Sequence, residues 1–344
     1  MYMRRVLFLG LLLLVGCIDP INNKQNKPAK HLVVECSFTN EASLNYVRLS
    51  YSQPYPSPYN GFEENATVSI SSTEGENYLF TYAKAGYYYP VGGSEARGMV
   101  GHTYTLNIAA GGKHYQSKPV MLRQPIPIDA IHFEVDEKTF AFKGDRLAQL
   151  LPGYNVLVDY QDPAEAGDFL RWSFSTEYEV LTQPEEFINP FNGLPAPKDC
   201  CSQCFLKEEL QQLKVADDRL TNGRTVLNQN VLFIPFERYL GVKNKLKVYQ
   251  HTITQEAYDY FRILVQQKEN TGTVFDAPPA EVKGNIFNMN DAGEQVIGFF
   301  DVSGVSMKEI TILRRDIDYP IIPFHFADDC QMLEGATKVM PPGW

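Results

Sequence analysis

Apolar side chains recur at every second position through most of this chain, and that period predicts strands rather than helices. Between His31 and about Gln124 the runs are Leu32–Phe38, Tyr46–Tyr51, Ala66–Ser71, Tyr78–Tyr82, Tyr87–Tyr89, Thr103–Ala109 and Tyr115–Leu122. Val68 and Ile70 alternate with Thr67 and Ser69, and Tyr104, Leu106 and Ile108 alternate with Thr105 and Asn107. Gly, Pro, Asn and Ser clusters separate the runs, and Ala110-Gly111-Gly112-Lys113 reads as a tight hairpin turn. About seven short strands at this spacing predict an immunoglobulin-like sandwich over residues 31–125.

Arg123-Gln124-Pro125-Ile126-Pro127 marks a boundary, because closely spaced prolines hold the chain extended. Beyond it, over residues 126–320, strands are expected at Ile128–Val135, Tyr154–Tyr160, Phe169–Tyr178, Val231–Phe236, Lys245–Ile253, Val282–Phe287, Gln295–Val302 and Glu309–Leu313. Trp172 is the natural core residue of a second sandwich. The pattern breaks over 181–230, which carries four prolines, a cysteine cluster and a short piece of helical composition at Lys207–Leu213; this is read as a long, stapled loop. One helix is predicted, from about Gln255 to Glu269. Ala257, Phe261, Leu264 and Val265 fall on one face, Thr254 can cap it, and Thr271-Gly272 ends it. The tail 321–344 is irregular. The expected fold is mainly β, with two immunoglobulin- or transthyretin-like sandwiches, the second carrying one packed helix and a long Cys-containing loop.

The N-terminus departs from this alternation. Arg4 and Arg5 precede an apolar run from Val6 to Val15, followed by Gly16-Cys17. A run of about ten residues fits a secretory signal and is too short for a permanent span. Leu14-Val15-Gly16-Cys17 resembles a bacterial lipobox, which makes 1–16 a signal peptide, Cys17 the lipidated residue and 17–30 a polar tether. Removing the two arginines leaves 29 basic against 41 acidic side chains, a net charge of −12. That balance argues against nucleic acid and against direct docking on anionic headgroups, so the expected hold on the membrane is the lipid itself. With 44% hydrophobic and 21% charged residues, the full chain is composed like a globular protein.

An exported chain keeps disulfides. Cys36 lies in a strand-like run and is expected to be buried and unpaired. Cys200, Cys201, Cys204 and Cys330 can form two bridges. Vicinal pairing of Cys200 with Cys201 is the least favoured on geometric grounds, and a bond from Cys330 to one member of the cluster is the preferred one. A zinc set from Cys200, Cys201 and Cys204 with Cys330 or His325 is the competing reading, and a redox-active Cys201-x-x-Cys204 is a third. The six histidines are scattered, and the acidic pairs Asp217-Asp218 and Asp328-Asp329 read as solvated loop groups. No nucleophile elbow or phosphate loop occurs. The remaining feature is aromatic: Tyr51, Tyr55 and Tyr59 interleave with prolines, and Tyr87-Tyr88-Tyr89 follows a glycine. These tyrosines are candidates for a contact surface.

Several segments occur in a familiar order: the lipobox, Leu32-Val33-Val34-Glu35, Gly101-His102-Thr103-Tyr104-Thr105-Leu106-Asn107-Ile108, Tyr160-Gln161-Asp162-Pro163, Arg171-Trp172, Thr254-Gln255-Glu256-Ala257-Tyr258, Phe275-Asp276-Ala277-Pro278-Pro279 and Val296-Ile297-Gly298-Phe299-Phe300. Together they resemble the Bacteroidota envelope lipoproteins of domain of unknown function 4249, over nearly all of the chain beyond Cys17. The first sandwich separately resembles carboxypeptidase-regulatory-like domains through Gly101, Tyr104, Leu106 and Ile108. The resemblance implies an outer-membrane, lipid-anchored, non-enzymatic accessory of a TonB-dependent receptor, without cofactor or metal and with an unknown ligand. The alternatives are an envelope hydrolase or metal-binding protein with a site near Cys200–Cys204, and a structural or adhesion module.

Overall fold

The computed structural model describes residues 30–53, 61–140, 149–165, 167–269 and 282–344. The first region folds as β1 (Leu32–Thr39), β2 (Tyr46–Tyr51), β3 (Gly61–Phe62), β4 (Thr67–Ser72), β5 (Asn77–Lys84), β6 (Tyr87–Pro90), β7 (Thr103–Ala110), β8 (Lys113–Ser117) and β9 (Val120–Met121). The second contains β10 (Ala130–Phe140), β11 (Gln149–Gln161), β12 (Phe169–Leu181), β13 (Gln203–Asp217), β14 (Thr225–Pro235), β15 (Lys243–Ile253), α1 (Gln255–Glu269), β16 (Ile286–Asn288) and β17 (Ile297–Leu313). The expected hairpin joins β7 to β8, with Gly111 and Gly112 both at positive φ as the turn requires. Helix α1 begins where expected, and Thr254 accepts a hydrogen bond from the Ala257 amide at 3.2 Å; the stop expected at Thr271-Gly272 lies outside the described residues.

The strands form a 14-stranded sheet in the order β13-β12-β15-β17-β1-β2-β6-β5-β4-β7-β8-β16, with β3 and β9 paired at its side, and a second sheet β10-β11-β14. The fold is mainly β and packs as a sandwich, with α1 the one α-helix among the described residues. One core gathers the inward residues of the first region, including Phe38, Leu49, Ile70 and Tyr104. A second lies between the small sheet and β12 and β15. Trp172 is fully buried in it and donates its indole N–H to Gln250 Oε1 at 3.0 Å.

Strand β17 corrects the expected division of the chain. Two separate strands were expected at 295–302 and 309–313, both in the second region. Instead one 17-residue strand pairs with both halves: Ile297–Ser303 run parallel to β1, and Gly304–Leu313 run antiparallel to β15. Strand β16 likewise closes on β8 of the first region. Gly304 marks the changeover. A Cβ there would stand 2.1 Å from the Arg123 carbonyl, so the interregion linker crosses β17 where only glycine leaves room.

The loop expected over 181–230 is also shorter. Lys207–Leu213 is part of β13, not a helix, and β13 as a whole is in register with β12 at twelve positions. Lysine, glutamate, leucine and glutamine favour helices by intrinsic propensity, but pairing along the whole of β12 overrides that weak preference. The irregular segments that remain are 182–202 and the turn 218–224. No helix among the described residues is long and apolar enough to cross a membrane.

Candidate functional site

Alternation along β6 divides the tyrosine triplet. Tyr88 is 1% exposed and sits in the first core; its hydroxyl donates to the Glu63 carbonyl at 2.9 Å. Tyr88 therefore leaves the expected contact surface, because the strand period turns it inward while its neighbours face out. Tyr51 is half-buried and its hydroxyl donates to Glu63 Oε2 at 2.6 Å. Tyr87 and Tyr89 stack with ring centroids 6.0 Å apart and planes within 5°. Tyr46 adds a ring 5.7 Å from Tyr87, and the Arg48 guanidinium lies 4.9 Å from the Tyr87 centroid. Tyr46 and Arg48 escaped the sequence reading. The signal for them was the inward pair Val47 and Leu49, which sends Tyr46 and Arg48 to the other face. Tyr55, Tyr59 and Cys17 lie outside the described residues.

The cysteines staple the other end of the molecule. Cys204 and Cys330, 126 residues apart, are both fully buried and joined as a disulfide with Cα atoms 5.8 Å apart, in the usual range for such a bond. Cys200 and Cys201 are also joined to each other, the pairing least favoured from the sequence. Backbone hydrogen bonds reinforce the staple: Cys330 N–H to the Cys201 carbonyl at 2.9 Å, and Phe205 and Thr337 exchanging bonds at 2.8 and 2.9 Å. In this pairing all four sulfurs serve one another. Cys36 is buried and free, as expected, and burial followed by the nearby Asp301 pushes its thiol well above the ordinary range.

The staple carries a small hairpin. Ile188 bridges Pro195, the Asn189 amide donates to the Leu194 carbonyl at 2.9 Å, and the Gly193 amide donates to the Asn189 carbonyl at 2.8 Å. The side chains of Asn189 and Asn192 accept from the Phe191 and Leu194 amides at 2.9 and 3.0 Å. The result is an ordered turn that holds apolar groups outward. Phe191 is 97% exposed, Leu194 61% and Ile188 58%, and residues 188–196 contain no charge. At its base Lys198 pairs with Asp328 and lies 4.1 Å from the Phe187 ring centroid.

This tip and residue 30 stand at opposite poles. Lys30 lies over Tyr51, and β1 begins beside Ile297 at the start of β17. Leu313, the far end of β17, pairs with Lys243, and β12 ends at Leu181 beside Gln203 on the same side. A 17-residue strand at about 3.3 Å per residue, which spans at most roughly 50 Å, runs from one pole toward the other.

Between the poles, under α1, lies a buried polar network that the sequence did not reveal. Arg171 on β12 donates to Asp301 on β17 at 2.6 Å and to His251 Nδ1 on β15 at 3.1 Å. Arginine has only donors, so Nδ1 is an acceptor and the imidazole proton sits on Nε2. Nε2 therefore donates to Ser173 Oγ, 2.8 Å away, and the Ser303 hydroxyl reaches Nδ1 at 3.0 Å. This tautomer gives a proton toward Ser173 and does not take one, so the pair is not a serine nucleophile with its base. Burial, and then the Arg171 charge, hold His251 well below its ordinary pKa and keep it neutral. Phe261 of α1 covers the guanidinium, its ring centroid 4.9 Å away. Arg171 and His251 occupy paired positions on β12 and β15, a register invisible before the strands are aligned.

The acidic pairs are structural rather than solvated. Asp218 is buried and accepts from the Gly167 and Asp168 amides at 2.6 and 3.1 Å. Asp217 takes bonds from Arg219 and the Tyr258 hydroxyl at 2.7 and 2.8 Å. Asp329 accepts from the Gln331 amide at 2.9 Å.

Fold and site together define a class: a mainly β protein with one helix, an internal arginine–aspartate–histidine lock, and a stapled apolar tip. Its sequence matches the family described as Domain of unknown function (DUF4249) over residues 18–309, and the chain belongs to that family. No curated protein matches it.

Proposed function

We propose that this chain is a lipid-anchored, non-enzymatic accessory protein of the bacterial outer membrane that docks on a TonB-dependent receptor through the tip 188–195. The observation that carries the docking reading is Phe191, nearly fully exposed on a turn whose conformation is fixed by hydrogen bonds and by the Cys204–Cys330 disulfide beneath it. Holding a large apolar side chain in water forgoes about 1.5–3 kcal/mol that burial at an interface would recover. A preorganised aromatic at a protruding tip is the kind of residue that dominates binding energy, because little freedom is lost when it docks. The poles support the same reading: a lipid at Cys17, followed by a short tether, would leave the tip on the side away from the anchor. Confinement to the membrane plane would raise the local concentration of receptor and accessory for each other. The stacked Tyr87 and Tyr89 with Arg48 offer a second surface, suited to ligand capture.

The anchor is tested by replacing Cys17. A Cys17→Ser variant is expected to leave the membrane fraction and to lower receptor-dependent uptake. A variant that stays with the membranes and supports uptake as the parent does would overturn the proposal.

A further inference from the structure

We propose that Glu74, Glu76 and His102 form a binding site for one divalent transition-metal ion, of which Zn2+ is the best match. The two glutamates flank Gly75 in the turn between β4 and β5, and His102 directly precedes β7. A backbone bond from the Thr73 amide to the Thr103 carbonyl, 3.0 Å long, ties the turn to that strand and brings the three side chains together.

The spacing fits a coordination sphere. Zinc bonds of about 2.0–2.2 Å at tetrahedral angles place neighbouring ligand atoms about 3.3 Å apart. His102 Nδ1 lies 3.0 Å from Glu76 Oε1 and 3.7 Å from Glu74 Oε2, distances that straddle that value, and one ligand atom from each residue lies within 4.8 Å of the others. The supporting contacts also fit. The Thr73 hydroxyl donates to Glu74 Oε1 at 2.7 Å, and the Ser72 hydroxyl donates to Glu76 Oε2. Glu74 thus gives one oxygen to a hydroxyl and turns the other toward Nδ1, whereas both Glu76 oxygens face Nδ1 and Oε2, 3.1 Å from it, also takes the Ser72 bond; hydroxyls in these places are the outer-shell support that metal ligands require. Among the described residues the ion pairs of both glutamates are with His102. Two carboxylates facing one imidazole offer a donor set for a dication.

One nitrogen and two oxygens select for zinc and its neighbours Co2+, Ni2+ and Cu2+, whereas Ca2+ and Mg2+ prefer oxygen sets with more ligands. Three protein ligands leave a fourth position for water or for a ligand brought by the metal. The site lies in the first region and shares no residue with the Cys200–Cys204 staple or the docking tip.

The test is calorimetric titration of Zn2+ into untagged, chelator-stripped full-length protein in detergent, repeated for His102→Gln and Glu74→Gln. One saturable ion per chain is expected. Each substitution should weaken it at least about tenfold, the lower end of what loss of even a supporting contact does at a metal site. His114→Gln, at an exposed histidine of the same region, should leave it unchanged. Glu74 is a surface side chain, so its variant reads binding even if His102→Gln fails to fold. Absence of saturable binding, or equal affinity in wild type and Glu74→Gln, would overturn the assignment.

Discussion

Arg171 Nη2 and Asp301 Oδ2 meet at 2.6 Å although β15 lies between their strands. The pair therefore clamps three neighbouring strands at the point where β17 passes from one region to the other. Both groups are almost fully buried, so removing one leaves the other charge without compensation. Asp301→Ala is expected to cost about 3–5 kcal/mol in urea denaturation. The double variant Arg171→Met with Asp301→Leu should cost clearly less than the two single changes added together, because it removes the stranded charge. Additive costs would show that the two side chains do not act as a pair.

His251 gives the lock a pH dependence whose sign is fixed. Its pKa is lowered in the fold, so the unfolded chain binds the proton first as pH falls. The contribution is complete above about pH 6.5 and is lost below it at about 1.4 kcal/mol per pH unit. His251→Gln keeps an acceptor for Arg171 and a donor for Ser173 but does not titrate. Its stability should fall less than that of wild type as the pH drops from 6.5 to 5. Parallel curves would contradict a neutral buried imidazole.

Asp162 has the opposite sign. Burial, and then the charges of Asp218 and Asp168, push its pKa up to about 6. Above the unfolded value near 4 the folded state holds the proton more tightly, so stability falls as pH rises through about 6. Asp162→Asn should therefore stabilise the protein at pH 7.5, by an amount of order 1–3 kcal/mol, and the gain should vanish at pH 4. An equal gain at both pH values would point to packing instead.

The Cys204–Cys330 bond closes a loop of 126 residues. Replacing both cysteines by alanine is expected to cost about 2–5 kcal/mol, chiefly by enlarging the unfolded ensemble. Limited proteolysis of that variant should begin within 182–202 or in the tail after 320, since this bond ties the two together.

What could be read from the sequence was local, and what could not was a matter of register. Thr254 and the spacing of Ala257 and Phe261 are enough to define α1, and Gly111-Gly112 defines its hairpin without reference to anything distant. Trp172 was identifiable as core from its strand alone. By contrast, the expected strands 295–302 and 309–313 are one strand, and the reason for Gly304 within it is the Arg123 carbonyl, 181 positions away in sequence. The composition of 207–213 pointed to a helix because the long register with β12 is not a local property. The cysteines narrowed to a bond between Cys330 and the 200–204 cluster, but the choice of Cys204 depends on where the tail packs. Tyr88 could have been set apart from Tyr87 and Tyr89 by strand alternation. Arg171, His251 and Asp301, and likewise Glu74, Glu76 and His102, meet only once strands distant in sequence are aligned.

The docking claim is tested most directly by a photoreactive phenylalanine analogue at position 191 in living cells, with the same probe at Leu220 as control. Leu220 is also highly exposed, at 88%, but lies in the turn after β13, at the far end of that strand from the staple. The account predicts a light-dependent adduct from position 191 with a TonB-dependent barrel, identified by mass spectrometry, and no such adduct from position 220. Illumination that yields no barrel adduct at 191, or the same adduct from both positions, would contradict it.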